Sequence, residues 1–183
     1  SDVNNASVYE LQVHSSESSE EPVIQDNSLE NSEYSSSSLD DGTWYWKVRA
    51  QDAAGNWGAW SAVWSFIIDT KGPEATTIEN DSLEVTADNL PLKLEWSKVD
   101  NADLYQYEIH STEDDLIHED EHIISSSIST TQVDIEKTRY TNQGKLKYNE
   151  TYYWRVLTID SHGNGSNWSN IGTFKVTQKQ SSD

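Results

Sequence analysis

"GTWYWKVRAQDAAGNWGAWSAVWSF", residues 42 to 66, holds five of the chain's eight tryptophans, and its reading decides the fold. Alternation places Trp44, Trp46 and Val48 on one side of a strand and Tyr45, Lys47 and Arg49 on the other. The aromatic side is expected to face a core, where each aromatic ring buries roughly 150 to 250 Å². "DAAGN" then reads as a tight turn, because Asp, Gly and Asn tolerate the left-handed backbone.

The same period of two runs through the rest of the chain. "VYELQV" sets Tyr9, Leu11 and Val13 against Glu10 and Gln12, and "LKLEW" sets Leu92, Leu94 and Trp96 against Lys93 and Glu95. No long amphipathic helix is evident, so an all-β chain is expected. At 183 residues with 34% apolar residues, its core must be compact and built from aromatic and β-branched side chains.

Charge and composition exclude several functions. A net charge of −20 repels phosphate backbones and anionic lipid, so neither nucleic acid nor membrane insertion is expected. The absence of cysteine removes disulfides, zinc knuckles and thiol nucleophiles. There is no run of the roughly 20 apolar residues that a bilayer span needs. Methionine is absent even at residue 1, so a piece of something longer is expected.

The chain repeats itself. Adding 108 carries Trp46, Val48, Asp52, Gly55, Asn56, Trp60, Ser61 and Phe66 onto Trp154, Val156, Asp160, Gly163, Asn164, Trp168, Ser169 and Phe174. Adding 96 carries Val3, Ala6, Tyr9, His14 and Ser15 onto Val99, Ala102, Tyr105, His110 and Ser111. The two offsets differ by 12 residues, which predicts an acidic insertion near 112–130 of the second copy. The expected organisation is one module over 1–69, a second over 70–178, and a tail at 179–183. "DTKGPEATT" between them is too short for a free tether, so an extended pair of limited flexibility is expected.

On these residues, "VYELQVH" and "DGTWYWKVRAQDAAGNW" in the first copy and "LEW", "YQYEIH" and "NETYYWRVLTID" in the second, the chain resembles tandem fibronectin type III modules of extracellular prokaryotic surface proteins. The resemblance implies two immunoglobulin-like β-sandwiches, with Tyr152, Trp154, Val156 and Thr158 facing inward and Tyr152 forming a tyrosine corner. Trp44 occupies the corner position of the first copy, where a weaker corner bond is expected. Such modules serve as spacers, adhesive modules or surface units, and fold alone does not choose among them. The leading expectation is a non-catalytic structural module of a surface protein, fibre or filament, with protein as partner through self-association or neighbouring modules. The alternative is a glycan- or protein-binding adhesion module, or an accessory module of a secreted enzyme.

"WGAWS" resembles the Trp-Ser-x-Trp-Ser signature of cytokine-receptor modules, whose tryptophans stack on basic side chains. That resemblance predicts Trp60 against Lys47 or Arg49, and Trp168 against Arg155, in cation-π contacts within about 6 Å. Trp57 and Trp64 correspond to Gly165 and Gly172, so the shared fold does not require them. Either they bind a ligand, together with Trp60, or they cap the end of the module.

Other motifs carry less. "HEDEH", His118 to His122, spells the zincin pattern, but that chemistry needs a helix and the segment runs into strand-like "IISSSIS". No metal, cofactor or catalytic residue is assigned. Asp52 and Asp160 precede Gly-Asn turns and read as loop-fixing acceptors. Sequons stand at Asn5, Asn80, Asn149, Asn164 and Asn167, against about three expected by chance in a chain so rich in Asn, Ser and Thr.

The offset of 96 sets Ser1 opposite Ser97, so the first copy is expected to lack its A and B strands. That predicts an uncovered assembly face at Leu11, Val13, Trp46 and Val48, beside an unpaired E strand over Glu33 to Ser37 that includes Tyr34 and Ser35. Three explanations remain open at this point: a boundary that happens to fall here, strands supplied by another chain to build a head-to-tail filament, or a segment missing from the sequence as given.

Overall fold

The computed structural model describes residues 5–36, 38–117, 123–136 and 144–178. The chain divides into two compact units, Ser1–Thr70 and Lys71–Asp183.

In the first unit β1 (Ala6–His14), β2 (Ile24–Leu29), β3 (Gly42–Asp52) and β4 (Trp64–Ile68) form one antiparallel sheet in the order β2-β1-β3-β4. Val13 stands opposite Trp46 and Leu11 opposite Val48, while Trp64 and Phe66 stand opposite Trp46 and Trp44. Directly opposed side chains share a face, so this register collects the apolar residues on one side of the sheet. The other side carries Glu10 opposite Arg49 and Gln12 opposite Lys47.

The second unit repeats that sheet and adds a layer. A five-stranded sheet runs β5 (Ser82–Thr86), β11 (Gly172–Thr177), β10 (Thr151–Ile159), β7 (Leu104–His110), β8 (Ile124–Ile128), with β5 parallel to β11. A two-stranded sheet pairs β6 (Leu92–Glu95) with β9 (Gln132–Ile135). Short helices follow β5 (Ala87–Asn89, 3-10) and β7 (Glu113–Ile117). Leu92, Leu94 and Trp96 join Tyr107, Ile109, Trp154, Val156 and Phe174 in a single buried cluster. Trp96 lies with its ring centroid 5.7 Å from Tyr105 and 6.2 Å from Trp154.

Pairing refines the repeat. Tyr9 and Tyr105 differ by 96, their partners Leu29 and Ile128 by 99, and Trp46 and Trp154 by 108. The extra length of the second copy is therefore split, with part before β8 and the larger part after it, and does not form one insertion near 112–130. His118 to His122 lies outside the described residues.

The corners differ chemically. In the second unit the Tyr152 hydroxyl accepts a hydrogen bond from the Lys147 N–H at 2.8 Å. Burial raises the pKa of this phenol above its ordinary value, Glu150 adds to the rise, and the Lys147 bond opposes it. In the first unit Trp44 reverses the bond, its indole Nε1–H donating to the Asp40 carbonyl at 2.9 Å.

Among the described residues, no strand of the first unit covers its apolar face as β6 and β9 cover that of the second. Phe66 is 37% exposed where Phe174 is 1%, and Trp64 on the same face is 60% exposed. Leu11 and Val13 depart from the expected exposure and are buried, their short side chains standing opposite Val48 and the larger Trp46 on the same face. Trp46 and Val48 are half-buried. Nor is there an E strand at Glu33 to Ser36: no neighbouring strand offers the segment a ladder, and it runs irregular and exposed. Ser37 lies outside the described residues.

Candidate functional site

Three features of the first unit were candidates for function: the tryptophan-rich loop after β3, the turn at Asp52, and the open apolar face. The loop forms a ladder on the charged side of the sheet. Lys47 Nζ lies 4.9 Å from the Trp60 ring, and the Arg49 guanidinium lies 4.6 Å from Trp60 and 4.7 Å from Trp57. In the second unit the Arg155 guanidinium lies 4.0 Å from Trp168. The basic stacking expected for Trp60 and Trp168 is thus present, and each such contact is worth about 0.5–2 kcal/mol.

Trp57 is not a free loop-tip indole. It is half-buried, forms an isolated β-bridge with Gln51, and stacks on Arg49. Sequence reasoning also missed Glu10, which is buried. Its Oε2 accepts from Arg49 Nε at 2.6 Å and its Oε1 from Gln25 Nε2 at 2.6 Å. The signal was available, because Glu10 and Arg49 occupy outward positions of adjacent strands.

The turns are built alike. Asp52 Oδ1 accepts from the Ala54 and Asn56 N–H groups, both at 2.9 Å, and Oδ2 accepts from Asn56 Nδ2 at 3.0 Å. Asp160 makes the same set with the His162 and Asn164 N–H groups and Asn164 Nδ2. Gly55 and Gly163 supply the left-handed residue, with φ of 87° and 89°. Both carboxyls are held below their ordinary pKa. For Asp52 the Asn56 hydrogen bonds are the main cause; for Asp160 burial pushes upward, and the bonds from Asn164 and His162 outweigh it. These aspartates are committed to their loops.

The open face borders a concave region of about 1280 Å³ whose lining extends beyond that face to Arg49, Trp57 and Trp60. Tyr9, Leu11, Val13, Trp46, Val48, Trp64 and Phe66 line it from the sheet, Glu33, Tyr34 and Leu39 from the segment between β2 and β3, and Trp57 and Trp60 from the loop. Ser35 is exposed but does not line it. Asp52, which also borders the concave region, is held in its turn with its pKa lowered by the Asn56 hydrogen bonds.

Of the sequon residues, Asn5, Asn80, Asn149 and Asn167 are exposed, whereas Asn164 is half-buried with its amide nitrogen donating to Asp160.

No protein-family model and no curated protein sequence matches the chain. Solved structures do. The fibronectin(III)-like modules of Clostridium thermocellum CbhA align over 100% of this chain and 85% of theirs, with 11% identity and a TM-score of 0.52. The FN1-FN3 domains of chicken CNTN1 align over 96% of this chain, with 16% identity and a TM-score of 0.50; the chain spans 57% of that structure's length. The fold is all-β and fibronectin type III-like.

Proposed function

We propose that the chain is a non-catalytic structural module of an extracellular surface protein, fibre or filament, and that the open face of its first unit is an assembly surface for protein. One observation carries this reading. The same strands in the same register bury Phe174 to 1% exposure in one copy and leave Phe66 at 37% and Trp64 at 60% in the other. Every large apolar residue counted as exposed among the described residues (Val23, Tyr34, Val63, Trp64, Phe66 and Ile67) belongs to the first unit. Apolar surface concentrated in this way marks an interaction site. Lys47, Arg49 and Arg155 are spent on Trp57, Trp60, Trp168, Glu10 and Glu108.

Trp64 favours a second reading, an adhesion or enzyme-accessory module, since an indole this exposed offers a flat surface to a sugar ring. Two measurements test the choice. Light scattering is expected to show concentration-dependent association that the Trp64→Ser, Phe66→Ser double variant loses, while a glycan array and a panel of glycosidic substrates stay blank. Saturable glycan binding or turnover by a chain that remains monomeric would overturn the structural reading.

A further inference from the structure

Independently of the first unit's open face, we infer that the second unit carries an interaction surface of its own, the free edge of β8. Its occupant is β8 of a second copy of this chain, paired antiparallel about a twofold axis through Ser126. β8 ends the five-stranded sheet: β7 ladders one side of it, and among the described residues no strand takes the other. A strand aims its N–H and C=O groups to both sides, so an edge strand offers half of them to a newcomer. This edge belongs to the unit whose core β6 and β9 close, with Ile124 buried in that core and Ile128 packed against it. It is therefore held in place before any partner arrives.

Edges that stay single are ordinarily guarded by a charge, a proline or a bulge. The other outer strands of the second unit carry such guards: Glu84 lies on β5, Lys93 and Glu95 on β6, and Asp134 on β9. In the first unit β2, the counterpart of β8, carries Asp26 and a register shift against β1 between Tyr9 and Leu11. β8 has none of these. Its sequence is Ile-Ser-Ser-Ser-Ile, its register with β7 is unbroken, and its three serines are exposed. No residue from Ile123 to Val133 is charged, in a chain of which 24% is charged.

The same residues identify the occupant. Ile-Ser-Ser-Ser-Ile reads identically in both directions, so a twofold axis through Ser126 pairs Ile124 with Ile128, Ser125 with Ser127, and Ser126 with itself. Every pair joins like with like, and serine hydroxyls directly opposed across a ladder can hydrogen-bond. A net charge of −20 sets two copies against each other, yet along β8 their backbones meet with no charged pair opposed. Five residue pairs make a small contact, so a dissociation constant on the order of 100 μM is expected.

The test uses the full chain carrying Trp64→Ser and Phe66→Ser, which removes association through the open face and so reads the two contacts apart. Sedimentation at up to about 1 mM protein, in about 0.15 M salt to screen the net charge, is expected to show a monomer–dimer equilibrium. Amide-exchange protection at 124–128 should grow with concentration. Ser126→Lys opposes two like charges on the axis and is expected to weaken the dimer at least tenfold, although it lowers the chain's net negative charge. The chain has no cysteine, so Ser126→Cys reports the axis directly. Residues directly opposed across the ladder lie about 4.5–5.5 Å apart, within reach of a disulfide, whereas Ser125 stands diagonal to its own copy at about 7–8 Å. Oxidised dimer is expected to form at least tenfold faster with Ser126→Cys than with Ser125→Cys. A chain that stays monomeric at about 1 mM, equal cross-linking at the two positions, or a Ser126→Lys chain that dimerises as tightly as its parent would overturn the inference. Any of these leaves the structural-module reading standing, since that reading is decided by association through the first unit, glycan binding and turnover.

Discussion

Trp64 stands where the second unit has Gly172, and it meets Trp46 edge-on with ring centroids 5.1 Å apart and planes at 84°. In the second unit the indole of Trp154 lies so close over Gly172 that a Cβ there would collide with its Nε1 and Cε2. The two copies thus seat one tryptophan in two ways. Where the face is closed by a second layer, the indole packs directly against glycine. On the open face, a second indole stands beside it.

Gly172→Ala is therefore expected to destabilise the second unit by about 1–3 kcal/mol, the usual cost of forcing a group into a packed core. Trp64→Gly in the first unit is expected to cost a comparable amount, about 2–3 kcal/mol, for the opposite reason: it removes the buried two-fifths of the indole, roughly 100 Å², and the edge contact to Trp46. Urea unfolding followed by far-UV circular dichroism compares the two.

A whole rung of the ladder also differs between copies. Glu10, Arg49 and Trp57 correspond to Gln106, Leu157 and Gly165, and a Cβ at Gly165 would pack 3.3 Å from Leu157. Arg49→Leu alone leaves the carboxylate of Glu10 buried with only Gln25, which is expected to cost about 1–3 kcal/mol. The triple change Glu10→Gln, Arg49→Leu, Trp57→Gly installs the second unit's rung and is expected to recover at least half of that loss. Additive losses in thermal unfolding would show that the three residues do not act together.

The strands, the repeat and the basic stacking partners of Trp60 and Trp168 were legible because each rests on local alternation or on identity between copies. The role of Trp57 was not. Reading Gly165 against Trp57 alone made the tryptophan look dispensable, and only the paired change of Arg49 to Leu157 shows that it belongs to a rung. The corner at Trp44 was legible as a departure but not in its direction, because the expectation followed the phenol hydroxyl as acceptor, whereas an indole fills the corner as a donor. The segment at Glu33 was expected as a strand from its place in the repeat, but a strand forms only where a neighbour supplies its ladder.

The turn aspartates predict a pH response. Their folded pKa lies below the ordinary value of 3.8, so the stability they contribute is fully present above about 3.8 and is lost as pH falls through the lower folded value. The Asp52→Asn, Asp160→Asn double variant is expected to be less stable than the natural chain at neutral pH. The gap should narrow as pH drops below about 3.8. A constant gap between pH 7 and pH 2 in thermal melts would show that ionisation of these carboxyls does not stabilise the turns.

The same turns decide which sequons can be used. Transfer of a glycan to asparagine needs the side-chain amide nitrogen free and reachable. Asn164 Nδ2 donates to Asp160 Oδ2 at 3.0 Å, the Asn164 N–H donates to Oδ1 of the same carboxylate at 2.9 Å, and the residue is half-buried. Asn5, Asn80 and Asn167 are exposed; Asn149 is exposed too, its Oδ1 accepting from the Gln178 N–H, which leaves its nitrogen unspent in that bond. After expression in a host that glycosylates Asn-x-Ser/Thr, peptide mapping by mass spectrometry is expected to find Asn164 unmodified while exposed sequons carry glycan. Asp160→Ala should release the amide and raise occupancy at Asn164. A glycan on Asn164 of the natural folded chain would show that the turn opens before or during transfer.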